Sequence, residues 1–406
     1  MTRSVSVSFG SITRCYEVIE TPIPHIVVPT VKEVVHGWFY GYRDRGRREC
    51  CSERILLNPY NGCSVSCIFC YSRGFKGYFK LWNEENVITV FKDFDVKLRE
   101  ELSKLYVASC AYLSPSTDPF QSPLEEVYNL STKSANVMLD LGLPVEFITK
   151  KGDKVPISLL RRMSEHNYGH CFTQYTIIGV DKDVVQILSP GSSHPEDQFK
   201  SIRRSANYGL FTVVRIDPLL PGITDDLETI EYIVSRGKCE GASHFIFSLC
   251  DLSSGWMDKT LKAVREYFPE AYPLWMKVYG KDYLGNLNYR IRVFKKAREI
   301  CDRHGVTMAL CMEFKVLKNG GRLRYVGLNE EFMTSRNCEG INIPIYYRRS
   351  LKDGFKPLEG CNGNCLYCAK GFQQPVCGEY KLIHADALKL KDYIRFKPPI
   401  LKLQYN

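Results

Sequence analysis

An α/β fold built on a parallel sheet is what the sequence predicts, with an N-terminal extension before it and a cysteine-rich domain after it. Three observations carry this. Apolar runs of strand length alternate with amphipathic helical patterns from Leu56 to Met312, the order that right-handed βαβ units produce. The first 52 residues break that rhythm: Pro22, Pro24 and Pro29 sit among apolar residues and favour extended or edge backbone. Finally, many of the 17 cysteines gather in two constellations of identical spacing, one early in the sheet region and one near the C-terminus.

The elements follow in order. Leu105–Leu113 is a near-continuous apolar run suited to a buried parallel strand. A helix over 131–141 stops at Gly142, and Val145–Thr149 is the next strand. A helix over 157–165 leads to a strand over 172–178. The helix over 195–208 opens with Pro195 and two acids, which suits its dipole, and stops at Gly209. Strands over 210–216, 245–249 and 306–312 alternate with helices over 225–235 and 288–303. The expected division is an extension over 1–52, a barrel-like unit over 53–315 and a cysteine-rich domain over 316–406.

Composition is ordinary for a soluble protein, with 44% hydrophobic and 25% charged residues. No stretch approaches the ~18 uninterrupted apolar residues of a membrane span, and Met1–Ser6 lacks the pattern of a secretory signal. Cysteines in metal-type spacings without an export signal point to a reducing cytoplasm. The formal charge of +10 is compatible with a nucleic-acid partner. Arg43, Arg45, Arg47 and Arg48 beside Trp38, Phe39, Tyr40 and Tyr42 could grip phosphates and stack on bases, or form a solvated basic loop.

Cys63, Cys67 and Cys70 are spaced C-x3-C-x2-C. A structural zinc site wants four protein ligands, whereas a [4Fe–4S] cluster on three thiolates leaves one iron open to a ligand. The alternative is a zinc knuckle completed by a distant residue, since Cys50 and Cys51 lie at a poor spacing. Asn58-Pro59-Tyr60-Asn61-Gly62 precedes the triplet, Phe69 sits within it and Tyr71 follows. This loop resembles that of radical S-adenosylmethionine (SAM) enzymes, in particular the spore photoproduct lyase-like branch. The resemblance implies a partial (β/α)6 TIM-like barrel, a [4Fe–4S] cluster on Cys63, Cys67 and Cys70, and SAM at the open iron beside Phe69 and Tyr71. It also implies an electron donor such as flavodoxin or ferredoxin.

The resemblance continues. Ser114-Pro115-Ser116-Thr117-Asp118-Pro119-Phe120-Gln121 is close to that family's (S/T)-(S/T)-D-P-(F/Y)-Q signature, which implies that Ser116, Thr117 and Asp118 receive the SAM ammonium. A helix-capping turn uses the same residue types. Thr149-Lys150 matches the family's T-K pair, so Lys150 is expected to meet the SAM carboxylate. Val214–Asp225 looks like the family's R-x-x-P-x-x-P-G-x-x-D stretch, placing Arg215 inside the barrel on SAM or a substrate anion, or in an ion pair with Glu146 or Asp217. Thr173 and Gln174 are candidates to reach the ribose. The cysteine that spore photoproduct lyases carry just before this turn is absent, and Pro115 or Ser116 stands there. That puts thymine-photoproduct repair in doubt.

Near the C-terminus, Cys361, Cys365 and Cys368 repeat the first spacing, with Cys377 after them and Cys338 before. A second [4Fe–4S] cluster is the first expectation, and a four-thiolate zinc site competes with it. The expected function is an enzyme that reductively cleaves SAM to a 5′-deoxyadenosyl radical for hydrogen abstraction, on a nucleic-acid substrate. Alternatives are modification of a peptide or small molecule, and a zinc-containing nucleic-acid-binding protein without catalysis. Oligomeric state is not legible.

Overall fold

The computed structural model describes residues 3–37, 53–253, 255–280, 282–320, 322–369, 371–378 and 388–396. The arginine–aromatic segment Trp38–Arg48 lies outside the described residues. The N-terminal extension pairs β1 (Ser4–Phe9) with β2 (Ile12–Glu17) as a hairpin. Next, β3 (His25–Pro29) runs parallel to a strand of the following region.

The centre is a seven-stranded parallel sheet. Its first strand, β4 (Arg54–Leu57), leads into the short β5 (Tyr60–Asn61) and then β6 (Ile88–Lys92), which pairs with both β3 and β5 in a separate small sheet. The chain returns through β7 (Val107–Ala108) and β8 (Cys110–Leu113). It then continues through β9 (Val145–Thr149), β10 (Phe172–Thr176), β11 (Phe211–Leu219), β12 (His244–Leu249) and β13 (Thr307–Leu310). The order is β13-β12-β11-β10-β9-β8-β4, every pair parallel. Six strand–helix units are thus followed by a seventh strand, and sequential parallel neighbours are what a partly closed barrel requires.

The strands are buried because helices cover them. Phe172, Val213, Phe245 and Met308 are fully inaccessible, as the continuous apolar runs require. The expected helices appear at Leu130–Asp140, Ile157–Ser164, Pro195–Asn207, Leu227–Cys239 and Leu287–His304.

One expected strand divides. The run Leu105–Leu113 breaks at Ser109: β8 joins the barrel, while β7 pairs antiparallel with β16 (Tyr346–Tyr347). Between them lie the hairpin β14 (Phe314–Asn319) and β15 (Arg322–Gly327), and β17 (Lys356–Pro357) completes the small sheet beyond β16.

The C-terminal residues close the amino-terminal end of the barrel. Arg54, the first residue of β4, donates from Nε to Glu146 at 2.9 Å and pairs through its other arm with Glu339. Burial, opposed by Arg54 and reinforced by Glu146, holds the Glu339 carboxyl well above the ordinary carboxylate range. His244, the first residue of β12, shares a hydrogen bond with the Cys338 carbonyl at 3.0 Å. Gly340 sits at φ +76°, and a Cβ there would stand 2.5 Å from the His244 ring, so glycine alone fits.

Candidate active site

In a parallel sheet, the loops after the carboxyl ends of the strands form the reacting face. The cysteine loop, the Ser114–Gln121 turn and Lys150 lie there. The cysteine loop follows β4, the Ser114–Gln121 turn follows β8, Lys150 follows β9, and Arg215 lies within β11.

The two sequence motifs lock together. Asn58 accepts from the Ser116 amide at 3.3 Å, and Gln121 accepts from the Ser64 amide at 3.0 Å. Ser64 Oγ donates to the Ser122 carbonyl, Tyr71 to that of Pro115 and Ser72 to that of Ser116, each at 2.7 Å. Tyr60 donates to Glu125 at 2.5 Å, and Glu125 also accepts from the amides of Ser131 and Thr132. So the Asn-Pro-Tyr residues seat the loop on the second βα turn.

The far side of the loop is held by residues that its spacing does not reveal. Ser189 donates to the Cys67 sulfur at 3.1 Å, and Ile68 N–H donates to the Leu188 carbonyl at 3.0 Å. The Ile68 carbonyl accepts from the Trp256 indole at 2.7 Å and from Thr260 at 3.1 Å. Gly191 packs so close that a Cβ would lie 2.3 Å from the Ser64 carbonyl oxygen.

Cys63 and Cys67 are buried and Cys70 is partly so. Burial pushes the Cys63 thiol well up, with Asp118 and Cys67 adding to the rise. Burial and Cys67 do the same for Cys70. Three thiols this close in an apolar loop resist ionising together, and a positively charged iron core relieves that cost. Among the described residues, no three histidine, cysteine or carboxylate side chains converge on a single metal ion. A four-iron cluster is less demanding, because its thiolates bind different irons. Beside the triplet, the buried hydroxyls of Ser114 and Thr117 have no partner. Three sulfur donors with orphaned polar atoms next to them fit a [4Fe–4S] cluster carrying a further polar ligand.

The expected SAM contacts divide. Phe69 is buried in the core, while Tyr71 is 47% exposed. Asp118 accepts from Phe120 N–H, from the Thr149 hydroxyl and, at 2.7 Å, from Lys150 N–H. These three donors make it a clamp on the Thr149–Lys150 corner. The Lys150 side chain is close enough to Cys70 and Asp217 to favour the charged form of each. Lys150 lines a small, partly open cleft together with Thr176, Gly179, Ser192 and Ser193.

Arg215 is paired inside the barrel. It donates to Asp217 at 3.0 Å and to Gln174 at 3.2 Å, and Asp217 also accepts from Ser248. Glu146 pairs with Arg54 instead. Gln174 accepts from Arg215 and donates to Glu146, and the Thr173 hydroxyl donates to Thr212.

Of the second constellation, Cys365 and Cys368 lie on the short helix Cys365–Ala369 and Cys361 precedes it by four residues, with a 2.8 Å bond from Leu358 N–H to the Ile345 carbonyl nearby. Asn364 donates to the Arg336 carbonyl at 2.5 Å, and a Cβ on Gly363 would collide with the Ile343 carbonyl. Cys338 packs against Ala309 and Met333. This set therefore sits with the segment that closes the amino-terminal end of the barrel, opposite Cys63, Cys67 and Cys70.

Comparison with known proteins now adds to this geometry. No family model matches the chain. Over 396 residues, 93% of this chain and 80% of the relative, it is 28% identical to a radical SAM Nalpha-GlyT isomerase of Pseudomonas phage M6. Most of its length is thus similar to a radical SAM enzyme. An uncharacterised protein of Mycobacterium tuberculosis is 24% identical over 199 residues, 47% of this chain and 56% of that one. Among solved structures, a spore photoproduct lyase complexed with dinucleoside spore photoproduct aligns over 69% of this chain and 79% of its own. The TM-score is 0.48 and the identity 13%. Streptococcus suis SuiB bound to S-adenosylmethionine aligns over 63% and 49%, with a TM-score of 0.42 and 10% identity.

Proposed function

We propose that this radical SAM enzyme isomerises a nucleic-acid substrate by hydrogen abstraction and return. The reaction type is carried by the similarity to the phage isomerase, which runs through 93% of the chain. The substrate class is supported by the net charge of +10 and by the arginine–aromatic segment ahead of the cysteine loop. An isomerisation balances without a net oxidant, since the hydrogen atom removed from one carbon is restored after rearrangement.

Cys63, Cys67 and Cys70 would hold the cluster, Lys150 the SAM carboxylate and the unpartnered Thr117 hydroxyl its ammonium. When bound, cluster and SAM together supply a 5′-deoxyadenosyl radical from one electron, delivered by a flavodoxin- or ferredoxin-like donor in a reducing cytoplasm. The protein's own part is to keep water out and fix geometry. Asp118 clamps the Lys150 corner, and Ser189, Trp256 and Thr260 fix the loop. Among the described residues, no helix is long and apolar enough to cross a membrane.

Cys361, Cys365, Cys368, Cys377 and Cys338 would hold a second [4Fe–4S] cluster or a zinc ion. Their place at the opposite end of the barrel supports a role in fixing the C-terminal closure rather than anchoring substrate.

The test is anaerobic reconstitution, dithionite reduction and assay for 5′-deoxyadenosine with DNA, RNA or no substrate, beside Cys67→Ala. A nucleic-acid product of unchanged mass, formed only with SAM and lost in Cys67→Ala, is expected, with 5′-deoxyadenosine staying below the amount of product because the hydrogen is returned. Cleavage indifferent to any nucleic acid would overturn the substrate assignment.

A further inference from the structure

Arg73 closes the short helical turn Tyr71–Gly74 that follows Cys70. Its side chain is 6% exposed. The guanidinium carbon stands 3.9 Å from the centre of the Trp82 ring and 4.5 Å from that of Trp256. Its Nε is buried without a hydrogen-bond partner.

A buried arginine is normally paired with a carboxylate, as Arg54, Arg215 and Arg290 are here. Arg73 has no acidic partner among the described residues. Its amide donates to the Cys70 carbonyl at 3.2 Å, and burial weakens the guanidinium's hold on its proton while the thiols of Cys70, Cys67 and Cys63 oppose that. Two indoles offset part of its desolvation through their negative faces. They also exclude water, so its charge is felt strongly nearby. Trp256 does both jobs at once: it faces the guanidinium and its N–H anchors the Ile68 carbonyl between Cys67 and Cys70.

We propose that Arg73, held between Trp82 and Trp256, is the fixed counter-charge of the iron–sulfur cluster and sets its reduction potential. The proposal rests on the radical SAM reading of the triplet. Reduction brings one electron from the external donor onto the cluster and makes it more negative by one charge. A neighbouring cation that keeps its proton stabilises the reduced form more than the oxidised form. Arg73 is therefore a positioning residue, acting on the cluster and not on substrate.

The experiment is a redox titration, followed by electron paramagnetic resonance, of reconstituted full-length protein, with iron and sulfide counted in each sample. Arg73→Met is expected to load iron like the parent. At the potential where the parent is half reduced, its reduced-to-oxidised ratio should fall about tenfold, which is ~59 mV for one electron. Arg73→Lys, which keeps a charge, should recover most of that loss. If Arg73→Met fails to load, Arg73→Lys and Trp82→Leu are titrated instead: a loaded Trp82→Leu shifted in the same direction supports the proposal. Any fully loaded Arg73 variant lacking the charge but matching the parent potential overturns it, as does a Trp82→Leu cluster that does not shift. Parent protein that takes up no iron–sulfur cluster would overturn the radical SAM reading itself, a distinguishable failure.

Discussion

Ser189 donates a hydrogen bond to the sulfur of Cys67 across 3.1 Å, joining residues 122 positions apart. Hydrogen bonds to ligating sulfurs raise a cluster's potential. Ser189→Ala should load iron normally and lower the potential. A bond of about 1 kcal/mol corresponds to ~40 mV for one electron. Redox titration of the variant beside the parent decides it, and an unchanged potential would exclude the contact from the loaded enzyme.

Lys150 carries the clearest expectation for SAM. A charge-assisted contact to a carboxylate contributes about 1.5–3 kcal/mol. Lys150→Ala should therefore weaken SAM binding roughly 10- to 150-fold, with iron content and the visible spectrum unchanged. Equilibrium binding of SAM to oxidised, loaded protein measures this without turnover. Equal affinity in the variant would remove Lys150 from the site.

Acid should loosen the barrel's closed end. Burial, the largest influence, holds the fully enclosed His244 at about 4, against an ordinary 6.5. Its folded state resists protonation that the unfolded chain accepts. Stability from this group is thus complete above pH 6.5, falls as pH drops through the window and is spent near pH 4. The difference amounts to about 3 kcal/mol. Denaturant unfolding at pH 7, 5.5 and 4.5 should show the slope, and His244→Gln should flatten it.

The Arg54, Glu146 and Glu339 cluster separates two substitutions usually treated alike. One guanidinium faces two carboxyls, and burial together with the Glu146 charge holds Glu339 well above the ordinary carboxylate range. Glu339→Gln should cost under ~1 kcal/mol, because the amide removes a carboxyl whose charged form is disfavoured there and keeps an oxygen to accept from Arg54. Arg54→Met leaves the Glu146 charge buried and should cost about 3 kcal/mol or more. Equal losses in the two variants' unfolding free energies would contradict this charge assignment.

Much of the barrel was legible because its signal is local. Val145–Thr149 was read to the residue, and the helix expected over 195–208 ends at Asn207. Periodicity reports burial, however, not the partner. It could not show that Ser109 divides Leu105–Leu113 between two sheets. The helix Phe79–Glu85, which brings Trp82 to Arg73, passed unread because it is only 7 residues long. At the site, cysteine spacing was informative because metal chemistry constrains it. Ser189 and Trp256 reach the loop from 122 and 188 positions away, and nothing in their neighbouring residues announces that. Arg73, three residues past Cys70, was within sight, but a surface arginine reads the same in sequence as one between two indoles.

The bond between Arg54 and Glu339 joins residues 285 positions apart. At 5–20 residues per second, the ribosome delivers the second roughly 15–60 s after the first. Throughout that interval Arg54 can meet Glu146 but not its other acid, and the base of the nascent barrel stays open to water. Iron loaded at the opposite mouth during synthesis would enter a scaffold whose floor has not yet been made.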